Sequence, residues 1–395
     1  MNMIFRFTEK YITLLFLLTN VFFASGQEYE LQKSGSKKIE LTLSTAYNKS
    51  YTYLEATEWK SIPSIALLNH KVKSIEVYSL TNGKLLESIP LFEDGPNRVG
   101  NSTTAFHIYA PDSIFVFDSG PLMFSLINNK GEKLNSYQNS DAEILGNPIP
   151  FVPYKPLSIQ SKNGKLHVTG IRVYKPFYDD KGKLLVSINI KTGKEEYLFR
   201  RPQFYEKVFY ASPQAALPHF AINGEFFVIS TPSSNYIQVN EKDKPAKYYL
   251  AKSAEIDTIM PYATKMPSFI DPNTMAEESV LKPNYQSIIY DPYRNFYYRI
   301  AKIPPTKDQW MSTKRRIGKM TVIILDENFQ KVGETEIDYT KYDVNGFFMS
   351  KEGLNFVNME KYGQNEDELV FDAFVPVRKS GRRNGISSRF DLPHH

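Results

Sequence analysis

Short runs of β-branched and aromatic residues, separated by turns, recur along the chain from residue 39 onward and leave little helical periodicity. Four of the turns carry glycine followed by Lys or Glu, at 81–84, 129–132, 180–183 and 191–194. Glycine supplies the positive φ angles that tight hairpins require. Tyrosine (26 residues) and phenylalanine (27 residues) are abundant, and both favour half-buried strands. The chain is therefore predicted to be all-β, with the antiparallel hairpin as its unit.

The hairpins form a loose repeat with a period of about sixty residues, each copy containing three recognisable strands. Units that cannot bury both faces alone favour radial stacking, so we predict a single β-propeller with six blades. Seven blades, or an array of β-sandwiches, are the alternatives. A strand at 39–45, with 50–55 after it, is expected to complete the last blade and close the ring. The six copies cover residues 65–89, 113–137, 165–199, 225–250, 295–338 and 346–375.

The N-terminus has the pattern of a secretory signal peptide. Arg6 and Lys10 precede an apolar run at 11–23, and Ala24-Ser25-Gly26 supplies small residues for cleavage. The run is shorter than the roughly 20 residues of a spanning helix, although an uncleaved anchor is an alternative. We therefore predict a signal peptide at 1–26, one propeller domain at 27–379 and a disordered basic tail at 380–395. No later segment approaches transmembrane length, which predicts a periplasmic, surface-exposed or secreted protein.

Composition excludes several classes of function. The chain has no cysteine, so disulfides, thiolate metal sites and cysteine nucleophiles are excluded, as is lipid attachment to an N-terminal cysteine. The protein is thus not a lipoprotein by its own sequence. A net charge of +5 with interspersed signs is no nucleic-acid signature. The basic cluster from Arg378 to Arg389 is expected to be a solvated end, with contact to an anionic surface as the alternative.

Two segments depart from the strand pattern. Residues 250–282 contain three prolines and a mixed Met/Ala/Glu stretch, which predicts a short helix beginning near Pro272. Residues 304–316 are polar and contain proline, which predicts an exposed hairpin tip.

A tyrosine-rich motif at 289–299, IYDPYRNFYYR, carries a family resemblance. With the stretches at 95–100, 320–336, 350–354 and 366–369, it resembles a family of Bacteroidota envelope proteins built on a domain of unknown function. The resemblance spans most of the chain after the leader. It implies a TolB-like or six-bladed propeller and no established activity. Many relatives are lipoproteins with a cysteine after the leader, where this chain has Gly26-Gln27, so the resemblance does not extend to a lipid anchor.

Within this motif, Asp-Pro-Tyr-Arg predicts a turn, because proline presets φ and aspartate can cap it. In the strand that follows, Tyr298 and its alternate neighbours share one face, and Arg299 lies on the other. Arg294 and Arg299 are either structural, paired with carboxylates or stacked on tyrosines, or they grip an anionic ligand at a channel mouth. Candidate ligand-binding residues are Arg294, Arg299, Tyr298, His107 and His219.

Catalytic motifs are absent: the chain has no GxSxG elbow, HExxH, P-loop or dinucleotide fingerprint. His107 and His219 lie beside apolar runs, which favours hydrogen-bonded histidines of the core or between blades. The segment from Asp338 to Gly346 offers oxygen ligands to Ca²⁺, but its spacing differs from that of an EF-hand. We therefore assign no catalytic residue, no metal ligand and no cofactor, with Ca²⁺ as a weak alternative.

These observations favour a non-enzymatic binding or interaction module of the cell envelope, with a protein, peptide or glycan partner. The alternative is a hydrolase or lyase acting on a sugar or lactone at the central channel. The alternative requires two or more of a set of charged residues to converge at one face: Asp118, His107, His219, Arg299 and Asp343. A third possibility is a purely structural envelope component with no ligand pocket.

Overall fold

A computed structural model describes residues 28–49, 52–118, 123–138, 159–169, 183–200, 202, 218–263 and 271–379. The predicted leader and the predicted tail at 380–395 lie outside these described residues, as does most of the predicted turn at 180–183.

The described residues form 24 strands and three short helices. The strands are β1 (Tyr29–Glu40), β2 (Leu54–Trp59), β3 (Ile62–Asn69), β4 (Ser74–Ser79), β5 (Leu85–Pro90), β6 (Thr103–Ala110), β7 (Ser113–Asp118), β8 (Met123–Ile127), β9 (Lys133–Gln138), β10 (Ile159–Lys162), β11 (Lys165–Val168), β12 (Lys183–Asn189), β13 (Glu195–Arg200), β14 (His219–Asn223), β15 (Phe226–Ser230), β16 (Tyr236–Glu241), β17 (Lys247–Leu250), β18 (Asn284–Asp291), β19 (Phe296–Ile303), β20 (Lys319–Leu325), β21 (Lys331–Ile337), β22 (Tyr342–Ser350), β23 (Gly353–Asn358) and β24 (Glu368–Arg378). The helices are α1 (Pro272–Leu281), α2 (Lys307–Thr313) and α3 (Met359–Gln364).

The sheets have a propeller-like arrangement, so the predicted all-β class is confirmed. Four antiparallel sheets of four strands follow one another along the chain: β2–β5, β6–β9, β10–β13 and β14–β17. The first strands of neighbouring sheets contact each other, for example β2 with β6 and β14 with β18. Apolar side chains fill the space between adjacent sheets, as in the cluster that joins β2–β5 to β6–β9.

The expectation of six separate blades is wrong, because the remaining strands form a single eight-stranded sheet. Its order is β18-β19-β20-β21-β1-β24-β23-β22. One half of this sheet is β18–β21, and the other half is β1 with β22–β24. The two halves join where Tyr29 of β1 pairs in parallel with Gly333 of β21. A Cβ at position 333 would lie 2.3 Å from the Tyr29 carbonyl oxygen, so only glycine permits this approach. The edge strands β18 and β22 also contact each other, which nearly closes the sheet on itself.

The predicted closing strand exists but lies earlier in the chain. β1 runs antiparallel to β24 from Tyr29 opposite Arg378 to Glu40 opposite Glu368, whereas 41–49 contains no strand. A buried carboxylate stabilises the pairing of β1 with β24. Asp372 of β24 accepts hydrogen bonds from Lys33 Nζ (2.9 Å) and Ser36 Oγ (2.6 Å) of β1. The N-terminal strand therefore completes a sheet whose other strands come from the end of the described chain.

The first five predicted units correspond to five groups of four consecutive strands: β2–β5, β6–β9, β10–β13, β14–β17 and β18–β21. Each unit covers the second, third and fourth strands of its group. The first strands, β2, β6, β10, β14 and β18, were not included in those units. The glycine turns at 81–84, 129–132 and 191–194 are confirmed, with positive φ at Gly83, Gly131 and Gly193.

Both departures from the strand pattern contain helix. The helix predicted near Pro272 is α1, capped by Asp271, whose carboxylate accepts from the Thr274 amide at 3.0 Å. The predicted tip is largely exposed from 306 to 316, but it contains α2 rather than a simple hairpin turn. No helix among the described residues has the length and apolar character needed to span a membrane.

Candidate functional site

The Asp-Pro-Tyr-Arg motif folds as the predicted turn around the buried carboxylate of Asp291. This carboxylate accepts hydrogen bonds from the backbone amides of Tyr293 (2.9 Å) and Arg294 (3.2 Å). The Arg294 guanidinium donates to Asp291 at 3.2 Å and to the Lys351 carbonyl at 2.7 Å. Arg294 therefore pairs with a carboxylate, as one of its two interpretations predicts, and its side chain is 25% exposed.

Tyr298 belongs to the same cluster. Its hydroxyl donates to Asp291 at 3.0 Å, and its side chain is fully buried. Burial, with Asp291 close by, raises the pKa of Tyr298 well above its ordinary value. The predicted alternation along β19 is confirmed, because Tyr298 and Ile300 pack in one hydrophobic cluster while Tyr297 and Ala301 pack in another. The structure thus brings Tyr298 and Arg294 together on one carboxylate.

Arg299 lies on the opposite face of β19 and joins two sheets. Its Nε donates to Ser230 Oγ at 2.9 Å, and its Nη1 donates to the Ala251 carbonyl at 2.9 Å. Its Nη2 donates to the carbonyls of Thr231 (3.3 Å) and Ser234 (2.6 Å). The guanidinium carbon stands 3.5 Å from the centre of the Tyr285 ring. This distance agrees with the predicted stacking on tyrosine. Every nitrogen of the buried cation also donates a hydrogen bond within the protein.

His107 links the first two sheets. Its Nδ1 lies 3.1 and 3.2 Å from the two carboxylate oxygens of Glu55, and Glu55 also accepts from the Ile108 amide at 3.1 Å. Glu55 is on β2 and His107 is on β6, so the predicted role of a histidine between blades is confirmed. In a neutral imidazole with its proton on Nδ1, donated to this carboxylate, Nε2 is an acceptor. Nε2 is buried and makes no hydrogen bond to any described residue.

Of the other charged residues considered for a channel site, His219 shares the neighbour Ser230 with Arg299, whereas Asp118 and Asp343 lie elsewhere. His219 lies buried on β14, opposite Ser230. Asp343 lies on β22 and accepts from the Tyr47 hydroxyl at 2.6 Å, and burial raises the pKa of this carboxyl. Asp118 ends β7 beneath Gly100, where a Cβ would overlap its carboxylate. Asp343 and Asp118 therefore have their own local structural contacts.

The predicted calcium ligands are also engaged locally. Asp338 accepts from the amide and hydroxyl of Thr340, at 2.9 and 2.6 Å, which makes a turn. Across the described part of the chain, no three His, Asp or Glu side chains are grouped as metal ligands. Calcium binding stays a prediction.

A cavity of about 290 Å³ lies beside the turn between β3 and β4. Asn48, Thr52, Asn69, His70 and Lys71 contribute to its lining. None of the five predicted ligand-binding residues lines this cavity.

An exposed aromatic surface on the sheet β14–β17 was not found from the sequence. It consists of Tyr236, Tyr248 and Leu250, which we call the tyrosine face; they are 49%, 49% and 54% exposed. Tyr236 pairs with Leu250 across β16 and β17, and Tyr248 precedes Leu250 by two residues, so all three share one side of the sheet. Partial burial raises the pKa of Tyr248. The three side chains therefore form one continuous surface.

The tyrosine face occupies the outer edge of its sheet. β17 is the last strand in the order β14-β15-β16-β17. On the opposite side of the same strand, Tyr249 packs against Phe329 with ring centres 4.9 Å apart. The sequence shows only alternating aromatic and polar residues here, a pattern that fits a buried face equally well. Exposure depends on which neighbouring sheet covers each side, and no local signal reports that.

Comparisons with known proteins agree with the fold. The family model of a domain of unknown function, DUF4221, matches residues 30–336. No curated protein matches the chain. A crystal structure of a DUF4221 member from Bacteroides vulgatus has a TM-score of 0.72 at 21% identity, covering 89% of this chain and 99% of that one. A Bacteroides fragilis protein described as exported has a TM-score of 0.53 at 11% identity, covering 89% of this chain and 96% of its own.

These two likenesses are below 25% identity and show the fold alone. The family match covers most of the chain and includes the turn at 95–100 and the tyrosine-rich motif at 289–299. The chain belongs to the DUF4221 family.

Proposed function

We propose that this protein is an exported interaction module of the bacterial cell envelope, which binds a protein or peptide partner through the tyrosine face. The observation that carries the proposal is the continuous exposure of Tyr236, Tyr248 and Leu250 on one side of β16 and β17. Continuous exposed apolar surfaces mark interaction sites, and tyrosine is enriched among the residues that dominate binding energy.

The position of this surface supports a protein partner. β17 is an edge strand in its sheet, and edge strands can pair with an extended segment of another chain. Tyrosine adds a large apolar ring and a hydroxyl that can donate a hydrogen bond to a backbone carbonyl. A glycan that stacks on the same rings is the alternative occupant, and it would bind without any protein being retained.

The enzyme alternative has no observation in its favour. It requires charged side chains that converge and remain available to substrate, whereas Arg299, Asp343 and His107 each bond to a different partner within the protein. Ligand binding by Arg294, Arg299, Tyr298, His107 and His219 stays a prediction.

Location in the envelope is part of the proposal. Its support is the signal-peptide pattern at 1–26 and the description of a structural relative from Bacteroides fragilis as exported. Whether the protein stays in the periplasm or reaches the cell surface is a further question, which protease treatment of intact cells would answer.

The test is affinity capture: three tagged forms of the protein are incubated with envelope extracts, and the proteins that each form retains are compared. The three forms are the wild type, a face variant (Tyr236→Ser, Tyr248→Ser, Leu250→Ser) and a control variant (Tyr109→Ser, Leu134→Ser). The control removes exposed apolar side chains from the sheet β6–β9, where Tyr109 is 45% and Leu134 is 55% exposed. We expect one protein to be retained by the wild type and the control and reduced at least about tenfold by the face variant.

Equal retention by the face variant and the wild type would refute this surface as the binding site. Turnover of a sugar or lactone that a single substitution abolishes would refute the module itself and restore the enzyme alternative.

A further inference from the structure

The connection between β19 and β20, residues 304–318, projects from its sheet as a structured element, and we call it the basic tip. It contains α2, whose first turn is fixed by a capping box between Thr306 and Gln309. Its two ends are joined at the base, where the Gly318 amide donates to the Ile303 carbonyl at 2.9 Å. Lys307 pairs with Glu277 of α1 at 3.0 Å, which fixes one side of the tip. The basic tip therefore has a defined shape.

Apolar side chains lie on this exposed element. Met311 is 55% exposed, and its neighbour Trp310 is partly exposed. At helical spacing, Lys307, Trp310 and Met311 share one face of α2, and Lys314 follows as the C-cap. Met311 therefore leaves about half of its surface in solvent, next to a partly exposed tryptophan and a lysine.

Three consecutive cations follow the helix. Lys314, Arg315 and Arg316 are all exposed, and within the described ranges none of their side chains pairs with a carboxylate. Lys319, by comparison, pairs with both Glu255 and Glu336. The tip carries four cationic side chains and one carboxylate, a net charge of +3 over 304–318.

Stabilisation of a helix C-terminus by nearby cations explains part of this pattern. The effect is confined to the last turn, so it accounts for Lys314 but not for two further arginines or for the exposure of Met311. Cations next to a partly exposed tryptophan and an exposed apolar side chain are typical of segments that rest on an anionic membrane surface.

We propose that the basic tip docks on an anionic phospholipid surface. Lys314, Arg315 and Arg316 contact lipid phosphates, and Trp310 and Met311 enter the interface between headgroups and acyl chains. This docking is separate from the tyrosine face and would hold a chain without a lipidated cysteine at the membrane. It rests on the proposed function only for export, and vesicle binding by the purified protein is measured independently of export.

The experiment uses the full chain with vesicles of phosphatidylcholine and phosphatidylglycerol, and with vesicles of phosphatidylcholine alone. The tip variant is Lys314→Ser, Arg315→Ser, Arg316→Ser. The matched control is Lys242→Ser, Lys244→Ser, Lys247→Ser, which removes three exposed positive charges, two from the turn after β16 and one from the first residue of β17. The predicted leader and the basic tail are identical in all variants, so a difference between them reports the tip.

We expect flotation with the anionic vesicles, reduced about a hundredfold in the tip variant and unchanged in the control. Raising the salt to about 1 M shortens the screening length to about 3 Å and should release the protein. Fluorescence gives a second readout, since the chain has two tryptophans and Trp59 is only 1% exposed. A blue shift on vesicle binding therefore reports Trp310, and Trp310→Phe should abolish it.

Equal binding to neutral vesicles, or equal binding by the tip variant, would overturn the proposal. So would retention of an acidic peptide by the tip in the absence of any vesicle binding, because that outcome assigns the same charges to a protein partner.

Discussion

At the scale of single residues, two phenylalanines hold left-handed backbone where glycine is the usual choice. Phe199 has φ +56° and Phe329 has φ +63°. Phe329 packs against Tyr249 and Tyr297, with ring centres 4.9 and 5.2 Å apart. Phe199 packs in the same way on Phe227, at 5.1 Å. Aromatic packing between sheets therefore holds each backbone in a conformation that a bulky residue avoids.

Phe329 provides a comparison of packing with backbone strain. Phe329→Ala should lower the free energy of unfolding by about 3–4 kcal/mol, because the ring contacts are lost. Glycine is normally about 0.5–1 kcal/mol worse than alanine, but here it relieves a left-handed φ. Phe329→Gly should therefore be at least as stable as Phe329→Ala in urea unfolding. A glycine variant clearly less stable than the alanine variant would contradict this interpretation.

The two arginines of the tyrosine-rich motif should differ in stability effect. Arg299→Lys removes most of the hydrogen bonds to four acceptors and the stacking on Tyr285, so we expect a loss of about 2–4 kcal/mol. Arg294→Lys acts at a partly exposed pair and should cost less than about 1 kcal/mol. Urea unfolding of both variants measures the difference. Equal losses in the free energy of unfolding would show that the contacts of Arg299 between the two sheets stabilise the fold no more than the Arg294 pair does.

Much of this residue-level detail could be predicted from the sequence, and the exceptions have physical reasons. Asp-Pro-Tyr-Arg predicts its turn, because proline and aspartate act locally. Phe329 gives no turn signal, since its left-handed backbone depends on packing partners on another sheet. The hydrogen bond between His107 and Glu55 likewise depends on how β2 and β6 meet, although a histidine between blades was expected.

At the scale of elements, the first strand of each of the first five four-strand groups (β2, β6, β10, β14 and β18) is not evident in the sequence. The other three strands of each group are evident. β6 and β14, for example, carry polar residues that bond to neighbouring sheets, such as His107, or that lie buried at the start of a strand, such as His219. These residues weaken the apolar alternation by which strands are recognised. Gly333 shows a second reason why the sequence does not predict the sheets. Its close approach to Tyr29 joins residues that are far apart in the chain, and this contact merges β18–β21 with β1 and β22–β24 into one sheet.

The pairing of β1 with β24 should be sensitive to acid. Burial alone would raise the pKa of Asp372, but hydrogen bonds from Ser36, Lys33, Tyr342 and Asn358 hold it below its ordinary value. The hydrogen bond from Lys37 of β1 lowers the pKa of Glu352 to about 2. Both carboxyls have lowered pKa values in the folded state. Their stabilisation is therefore complete above the ordinary range near pH 4 and is lost as the pH falls toward 2.

The double variant Asp372→Asn, Glu352→Gln tests this dependence. Urea unfolding at several pH values should show a smaller fall in stability between about pH 4.5 and 2 than in the wild type. At pH 7 the variant should lose about 1.5–3 kcal/mol, mainly from Asp372, because Glu352 is 44% exposed. The same pH dependence in both proteins would exclude these carboxyls as its source.

At the scale of the whole molecule, four separate sheets and one nearly closed sheet present different surfaces for different contacts. The all-β class and the propeller-like arrangement follow from the repeat, but the number of separate blades does not, because sheet merging is a long-range event. The charged residues that suggested a channel site contribute to contacts between or within sheets. Exposed apolar side chains instead lie on the outer edge of β14–β17 and on the basic tip, and these surfaces carry the proposed interactions.

The most direct measurement is photo-crosslinking in living cells, with a photoreactive amino acid at position 248 of the tyrosine face and, as a control, at position 109. We expect one discrete crosslinked product of higher mass at position 248 and none at position 109, although Tyr109 is similarly exposed, at 45%. No product at position 248, or the same product at both positions, would contradict the assignment of the tyrosine face as the binding surface.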